Sequence, residues 1–160
     1  MRPTHPPLIV TLVLVGAAVG WGLFVVVDGW TGRSLPVPVL AGSALWLLGI
    51  ALIVWGSVIR PRLRANIDRR KSPGVDPLPI LVAARVAAVA MAASRVGALI
   101  TGLYAGITIA TVASGLTTPA TQQTLLAAVL AASGAAVVAG AGLRLERWCL
   151  LPGDDDDDDS

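Results

Sequence analysis

The sequence has little charge and few of the residue types on which most protein chemistry depends. Charged residues make up 14% of its 160 residues, whereas soluble globular proteins contain about 25%. Its single cysteine excludes an internal disulfide framework. Its single histidine, His5, stands in a proline-flanked segment, and no metalloprotease, nucleophile-elbow or nucleotide-binding motif occurs. We therefore expect no metal site, no cofactor, no catalytic residues and no enzymatic activity.

Apolar residues, in contrast, make up 55% of the chain and occur in long runs. A helix needs about 20 such residues to cross the hydrocarbon core of a membrane, and the sequence has four runs of this kind. We predict an all-α fold, an integral membrane bundle of four transmembrane helices with an unusually long third helix. The predicted spans are 8–27, 37–59, 80–113 and 124–143, in a domain of residues 1–151 that a disordered acidic tail, 152–160, follows.

Polar residues and prolines mark the expected ends of the first two spans. Asp28 and Gly29 are predicted to end the first span, and Arg60 and Pro61 the second. Proline is disfavoured inside a helix because it lacks the backbone donor and its ring clashes with the preceding turn. The segments 28–35 and 114–123 each separate two predicted spans. We expect them to be hairpin connections on the same side of the membrane.

Basic residues lie almost entirely on the other side of this topology. Arg2, Arg144, Arg147 and six bases between the second and third spans fall there, and Arg33 alone falls on the side of the hairpins. Because Lys and Arg are retained in the cytoplasm, we predict a bacterial plasma-membrane protein with both termini cytoplasmic. The six bases, which form the predicted basic loop, are Arg60, Arg62, Arg64, Arg69, Arg70 and Lys71.

The predicted basic loop and the acidic tail define the expected partners. The loop would bind anionic lipid at about 1 kcal/mol per base, although its role in setting the topology is sufficient to explain it. The six aspartates of the tail, 154–159, lack the spaced ligands and the glycine of an EF-hand loop, so they predict no defined calcium site. We expect membrane lipids and a protein at the cytoplasmic face as partners. Nucleic acid is excluded despite a pI near 9.3.

Small residues recur at four-residue spacing in two of the predicted spans. Because hydrophobic burial does not drive helices together in lipid, close backbone approach over small side chains has to do so. We interpret this stripe of small residues as a surface on which helices of one bundle pack together. The alternative is a contact between two copies of the chain in a homodimer. The helix-packing candidates are Gly16 and Gly20 in the first span and Ser94, Ala98, Gly102 and Gly106 in the third.

Two arginines, Arg85 and Arg95, lie inside the third apolar stretch. A charge at the centre of a span costs about 2.5–3.5 kcal/mol, so each requires compensation. If the membrane covers residues 94–113, Arg95 reaches the inner headgroups; if it covers 86–107, Arg95 lies near the midplane. The pair predicts either lipid-phosphate contacts or an anion-binding site.

The segments Asp76–Arg85 and Ala93–Gly106, together with Glu146–Cys149, Pro152 and the following aspartates, resemble an actinobacterial membrane family known as domain of unknown function 3180. The resemblance implies a small protein with four spans, often encoded beside folate-biosynthesis enzymes. It implies no established activity and no site residues.

Two functions stay open on the sequence. The first is a non-enzymatic accessory or scaffold protein whose cytoplasmic face binds a partner. The second is a small homo-oligomeric transporter of an anionic metabolite, pterin or folate-like by association with the family, that uses Arg85 and Arg95.

Overall fold

A computed structural model describes residues 6–31, 38–67, 80–115 and 118–149. These residues form four helices and no strand: α1 (Pro6–Thr31), α2 (Val39–Ile67), α3 (Ile80–Ala113) and α4 (Pro119–Cys149). All four are long and apolar enough to span a membrane, and α3, with 34 residues, is the longest. The predicted fold class is thus confirmed. The acidic tail predicted at 152–160 lies outside the described residues.

Two helices continue past the residues that were expected to end them. Helix α1 runs through Asp28 and Gly29 to Thr31, and α2 runs through Pro61 to Ile67. A charged residue or a glycine leaves the helical hydrogen-bonding pattern intact. A proline removes its own backbone donor and crowds the preceding turn, but α2 is helical on both sides of Pro61. The apolar run therefore measures the part of a helix that can lie in lipid, and the helix itself extends further.

The short connection between α3 and α4 has well-defined ends. Gly115 follows α3 with a φ of 65°, the left-handed conformation that glycine adopts without steric cost. Thr118 precedes α4, and its hydroxyl accepts a hydrogen bond from the backbone N–H of Thr121 at 3.3 Å. Pro119 occupies the first helical position, where its missing N–H is not needed. This arrangement is an N-cap.

The helices pack in the order α1–α3–α4–α2, so that α1 and α2 lie at the two ends of a row. The burial of the spans follows this order. In α1 and α2 17% of the span is buried, compared with 39% in α3 and 50% in α4. The two outer helices therefore present most of their apolar surface to the membrane.

Neighbouring helices in the row have defined directions and registers. Gly102 and Gly106 of α3 lie against Val13 and Ala17 of α1, a constant offset of 89 residues, so α1 and α3 are parallel. Helices α3 and α4 are antiparallel, because contacts of α3 that lie further along its sequence are made with earlier residues of α4. Gly97 lies against Ala139, and Gly142 lies against Ser94.

Helices α2 and α4 are also parallel, in a register of 88 or 89 residues. Gly49 lies against Val137 and Gly56 against Leu145. About two turns into α2, the indole Nε1 of Trp46 donates a hydrogen bond to the hydroxyl of Ser133, near the middle of α4, at 3.2 Å. Trp46 therefore joins two helices.

Candidate functional site

Helix directions bring the basic residues of the described chain to one end of the row. At this end, which we call the basic end, α1 and α3 begin and α2 and α4 finish. Asp28 lies in the last turns of α1, at the other end. The basic residues in the helical segments of the basic end are Arg60, Arg62, Arg64, Arg85, Arg95, Arg144 and Arg147.

Half of the predicted basic loop belongs to a helix. Arg60, Arg62 and Arg64 lie in the last turns of α2, which extends to Ile67. Arg69, Arg70 and Lys71 lie outside the described residues. The positive charge that was predicted for a loop therefore begins on α2, in the part of this helix that continues beyond its apolar span.

Arg95 lies at the height at which α1 begins. It precedes Gly102 by seven residues, and Gly102 contacts Val13, which follows the first residue of α1 by seven. Seven residues are close to two helical turns, about 10 Å, so Arg95 and Gly102 lie on the same side of α3. The described part of α1 begins at this height, and the Arg95 side chain is exposed.

Arg85 is exposed as well, and it lies ten residues before Arg95. Ten residues correspond to about 15 Å along the helix axis, further towards the basic end. The nearest carboxylate on the neighbouring helix, Glu146, is buried with 9% of its surface exposed. It follows Gly142 by one turn and so lies on the side of α4 that packs against α3.

The helix-packing candidates divide between two interfaces. Four glycines, Gly16, Gly20, Gly102 and Gly106, lie at the α1–α3 contact, where a Cβ added to any of them would collide with backbone atoms of the facing helix. Ser94 is fully buried on the other interface, next to Gly142 of α4. Its hydroxyl donates to the Met91 carbonyl at 3.0 Å. Ala98 is also buried, with 1% of its surface exposed.

A groove between α2 and α4, near the basic end, was not anticipated from the sequence. Its volume is about 460 Å³. Arg144, which from the sequence served only to set the topology, is the one charged residue among the described residues that line it. The groove is lined by Leu52, Ile53, Gly56 and Ser57 of α2 and by Val137, Gly140, Ala141, Arg144 and Leu145 of α4.

Within the described ranges, no three histidine, cysteine, aspartate or glutamate side chains come together in a way that would hold a metal ion. The distinctive features of the described part of the chain are therefore the close helix contacts, the exposed arginines and the groove.

Comparison with protein families identifies a relationship that covers most of the chain. The model of the family described as Protein of unknown function (DUF3180) matches residues 9–153. The chain belongs to this family. No curated protein and no solved structure matches it.

From residue 9 onwards the family match includes the apolar spans and the predicted basic loop, and it ends directly before the six aspartates at 154–159. The groove and the two exposed arginines of α3 thus belong to the region shared with the DUF3180 family, and the aspartate run lies beyond it.

Proposed function

We propose that this DUF3180 protein is a non-enzymatic accessory or scaffold protein of the bacterial plasma membrane, and that a partner protein binds its cytoplasmic face. The observation that carries the proposal is the concentration of basic helix ends at one end of a row of closely packed apolar helices. By the rule that Lys and Arg stay in the cytoplasm, we take the basic end to be cytoplasmic.

The packing of the row supports a scaffold over a conduit. Neighbouring helices approach at backbone distance: a Cβ on Gly97 would lie 2.7 Å from the Ala139 backbone nitrogen, and one on Gly142 would lie 2.6 Å from that of Ser94. Such contacts leave no room for a solute between α3 and α4. A single copy of the chain is therefore better suited to hold a face in position than to enclose a path.

The proposed interaction face consists of the segment 60–71 and the aspartates 154–159. Both segments lie on the same side of the proposed topology because they adjoin the ends of α2 and α4. Charges of opposite sign on the two segments of this proposed face suit electrostatic recognition of a partner, which improves association rate and specificity.

The orientation is tested with reporter fusions. A fluorescent reporter that matures only in the cytoplasm is attached at residue 160, and a periplasm-dependent phosphatase is attached there in a parallel strain. We expect fluorescence and no phosphatase activity. The reverse result would place the basic end outside the cell and refute the proposed face.

Partner binding is tested by quantitative affinity purification of the full chain from native membranes. We compare wild type with a variant in which the six aspartates 154–159 become asparagine and with one in which Arg60, Arg62 and Arg64 become glutamine. An arginine-to-lysine version of the second variant is the matched control, since it retains the charge and hence the topology. We expect one protein to be lost from the neutralised variants and retained with the control. Identical recovery from all variants contradicts the proposal.

Transport of an anionic metabolite, pterin or folate-like by association, is the alternative. The exposure of Arg85 and Arg95 on α3 favours it over any other second function, but its path would need several copies of the chain. Flux of a pterin into proteoliposomes, compared among wild type, Arg85→Ala and Arg95→Ala, distinguishes the two functions. Flux that either change abolishes supports transport, and no flux above empty liposomes rules it out.

A further inference from the structure

We propose that the groove between α2 and α4 is a binding site for one phospholipid, with an acyl chain between the helices and the phosphate on Arg144. Its volume of about 460 Å³ falls within the range of small-molecule and cofactor sites, about 300–1,000 Å³. The inference is independent of the partner proposed above.

The groove lies directly beside a close contact between α2 and α4 and shares Gly56, Val137 and Leu145 with it. A Cβ on Gly49 would lie 2.8 Å from Val137, and one on Gly56 would lie 2.9 Å from Leu145, so these glycines hold the helices close. Beside this contact, Ile53 of α2 and Gly140 of α4 are exposed and line the groove. The surface between them is apolar except at Ser57 and Arg144.

Among the residues that line the groove, Gly140 indicates why the groove is open. A Cβ at this position would meet no atom within 4 Å, whereas one at Gly134 or Gly142 of the same helix would collide with a neighbouring helix. Glycine inside a helix is less favourable than alanine by about 1 kcal/mol. No protein contact in the described chain requires glycine at 140, and its effect is to keep the groove open.

The polar groups of the groove identify the chemistry of the occupant. The Ser57 hydroxyl already donates to the Val54 carbonyl at 2.7 Å, so its donor is used within α2. Arg144 is exposed, and it adjoins Leu145, which packs on Gly56 three residues before the apolar span of α2 ends at Ile59. Its guanidinium therefore lies where the membrane interior meets the headgroups. An anion attached to an acyl chain complements both the charge and the apolar lining.

The test is native mass spectrometry of the full chain in detergent, titrated with dioleoyl phosphatidylglycerol. We expect a one-lipid adduct with wild type and its loss with Gly140→Leu, whose side chain fills the groove. Gly22→Leu is the matched control, because a Cβ on Gly22 of α1 also meets nothing within 4 Å. Ser57→Leu blocks the groove from α2 and serves as a second variant.

The phosphate contact is tested with Arg144→Gln. We expect about a fivefold weaker adduct, as one base near the membrane surface contributes about 1 kcal/mol. Arg147→Gln, an exposed arginine on the same helix outside the groove lining, is the control and should bind as wild type does. Dioleoylglycerol, which lacks the phosphate, should bind as weakly to wild type as phosphatidylglycerol binds to Arg144→Gln.

Several results would overturn the proposal. One is an adduct that survives both Gly140→Leu and Ser57→Leu in chains whose circular dichroism is unchanged. Others are equal loss with Gly22→Leu, or displacement of the lipid by glycerol phosphate alone, which would indicate an anion site without an acyl chain. A lipid-free dimer that Gly140→Leu converts to monomers would assign the groove to a second copy of the chain.

Discussion

Replacement of Gly102 by alanine is the sharpest test of how this row of helices is held together. A Cβ at 102 would lie 2.8 Å from the carbonyl carbon and 2.9 Å from the Cα of Val13, and closer still to the Val13 carbonyl oxygen. Carbon atoms pack best at about 3.5–4.0 Å. The obstacle is backbone, which cannot rotate away as a side chain can, so α1 and α3 must move apart.

Two opposing effects determine how much Gly102→Ala changes the free energy of unfolding. Alanine improves helix propensity by about 1 kcal/mol, and overpacking of a closely fitted contact costs about 1–3 kcal/mol. Because a parting of the helices also weakens the neighbouring contact between Gly106 and Ala17, we expect the upper part of that range and a net loss of roughly 2 kcal/mol.

The assay is unfolding of the full chain in mixed micelles, with rising dodecyl sulfate and far-ultraviolet circular dichroism as the readout. Gly140→Ala is the matched control: it makes the same substitution inside a helix but meets no atom within 4 Å. We expect Gly140→Ala to raise the free energy of unfolding slightly and Gly102→Ala to lower it. The double variant Gly102→Ala/Gly106→Ala should lose less than the sum of the single losses, because one separation of the helices relieves both collisions.

Equal stabilisation by Gly102→Ala and Gly140→Ala would refute this reasoning. It would mean that α1 does not approach α3 at backbone distance, and the height of Arg95 relative to α1 would then lose its basis as well.

The remaining predictions concern contacts that hold other parts of the row. Trp46→Phe should lower the free energy of unfolding by about 1 kcal/mol through loss of the indole hydrogen bond to Ser133; a double-mutant cycle with Ser133→Ala should show coupling, and strict additivity would argue against the bond. Thr118→Ala should cost about 1 kcal/mol by removing the cap of α4, whereas Thr118→Ser should be neutral; an equal loss in both would show that the hydroxyl is not the cause. Gly115→Ala should cost about 1 kcal/mol because φ is 65° there, and Gly115→Asn should cost less because asparagine tolerates that conformation. The same dodecyl sulfate titration measures all of these, and a neutral Gly115→Ala would contradict the left-handed assignment.

The small-residue stripe of α3 shows why a linear pattern did not identify its partners. Residues four apart are displaced by about 40° around a helix of 3.6 residues per turn. From Ser94 to Gly106 the displacement reaches about 120°, so the stripe turns from the side of α4 to the side of α1. Four-residue spacing identified residues that allow close approach, and the order of the helices decided which helix each of them meets.

The ends of the helices show a similar division. Apolar runs predicted the four spans because the thickness of the hydrocarbon core sets a minimum length. They did not predict that α1 passes Asp28 or that α2 passes Pro61, since the helical backbone continues wherever its own hydrogen bonds form.

The sequence by itself determined that the helices of this protein suit a lipid environment, how many spans it has and to which family it belongs. The first two depend on composition and run length, and the third depends on the order of residues in segments such as Asp76–Arg85; all of these are properties of one dimension. Only the tertiary structure placed Arg95 level with the start of α1, turned Ser94 and Gly106 to different neighbours and set Arg144 beside a groove. These features depend on the order and register of helices that lie far apart in the chain, and no local pattern of residues records that register.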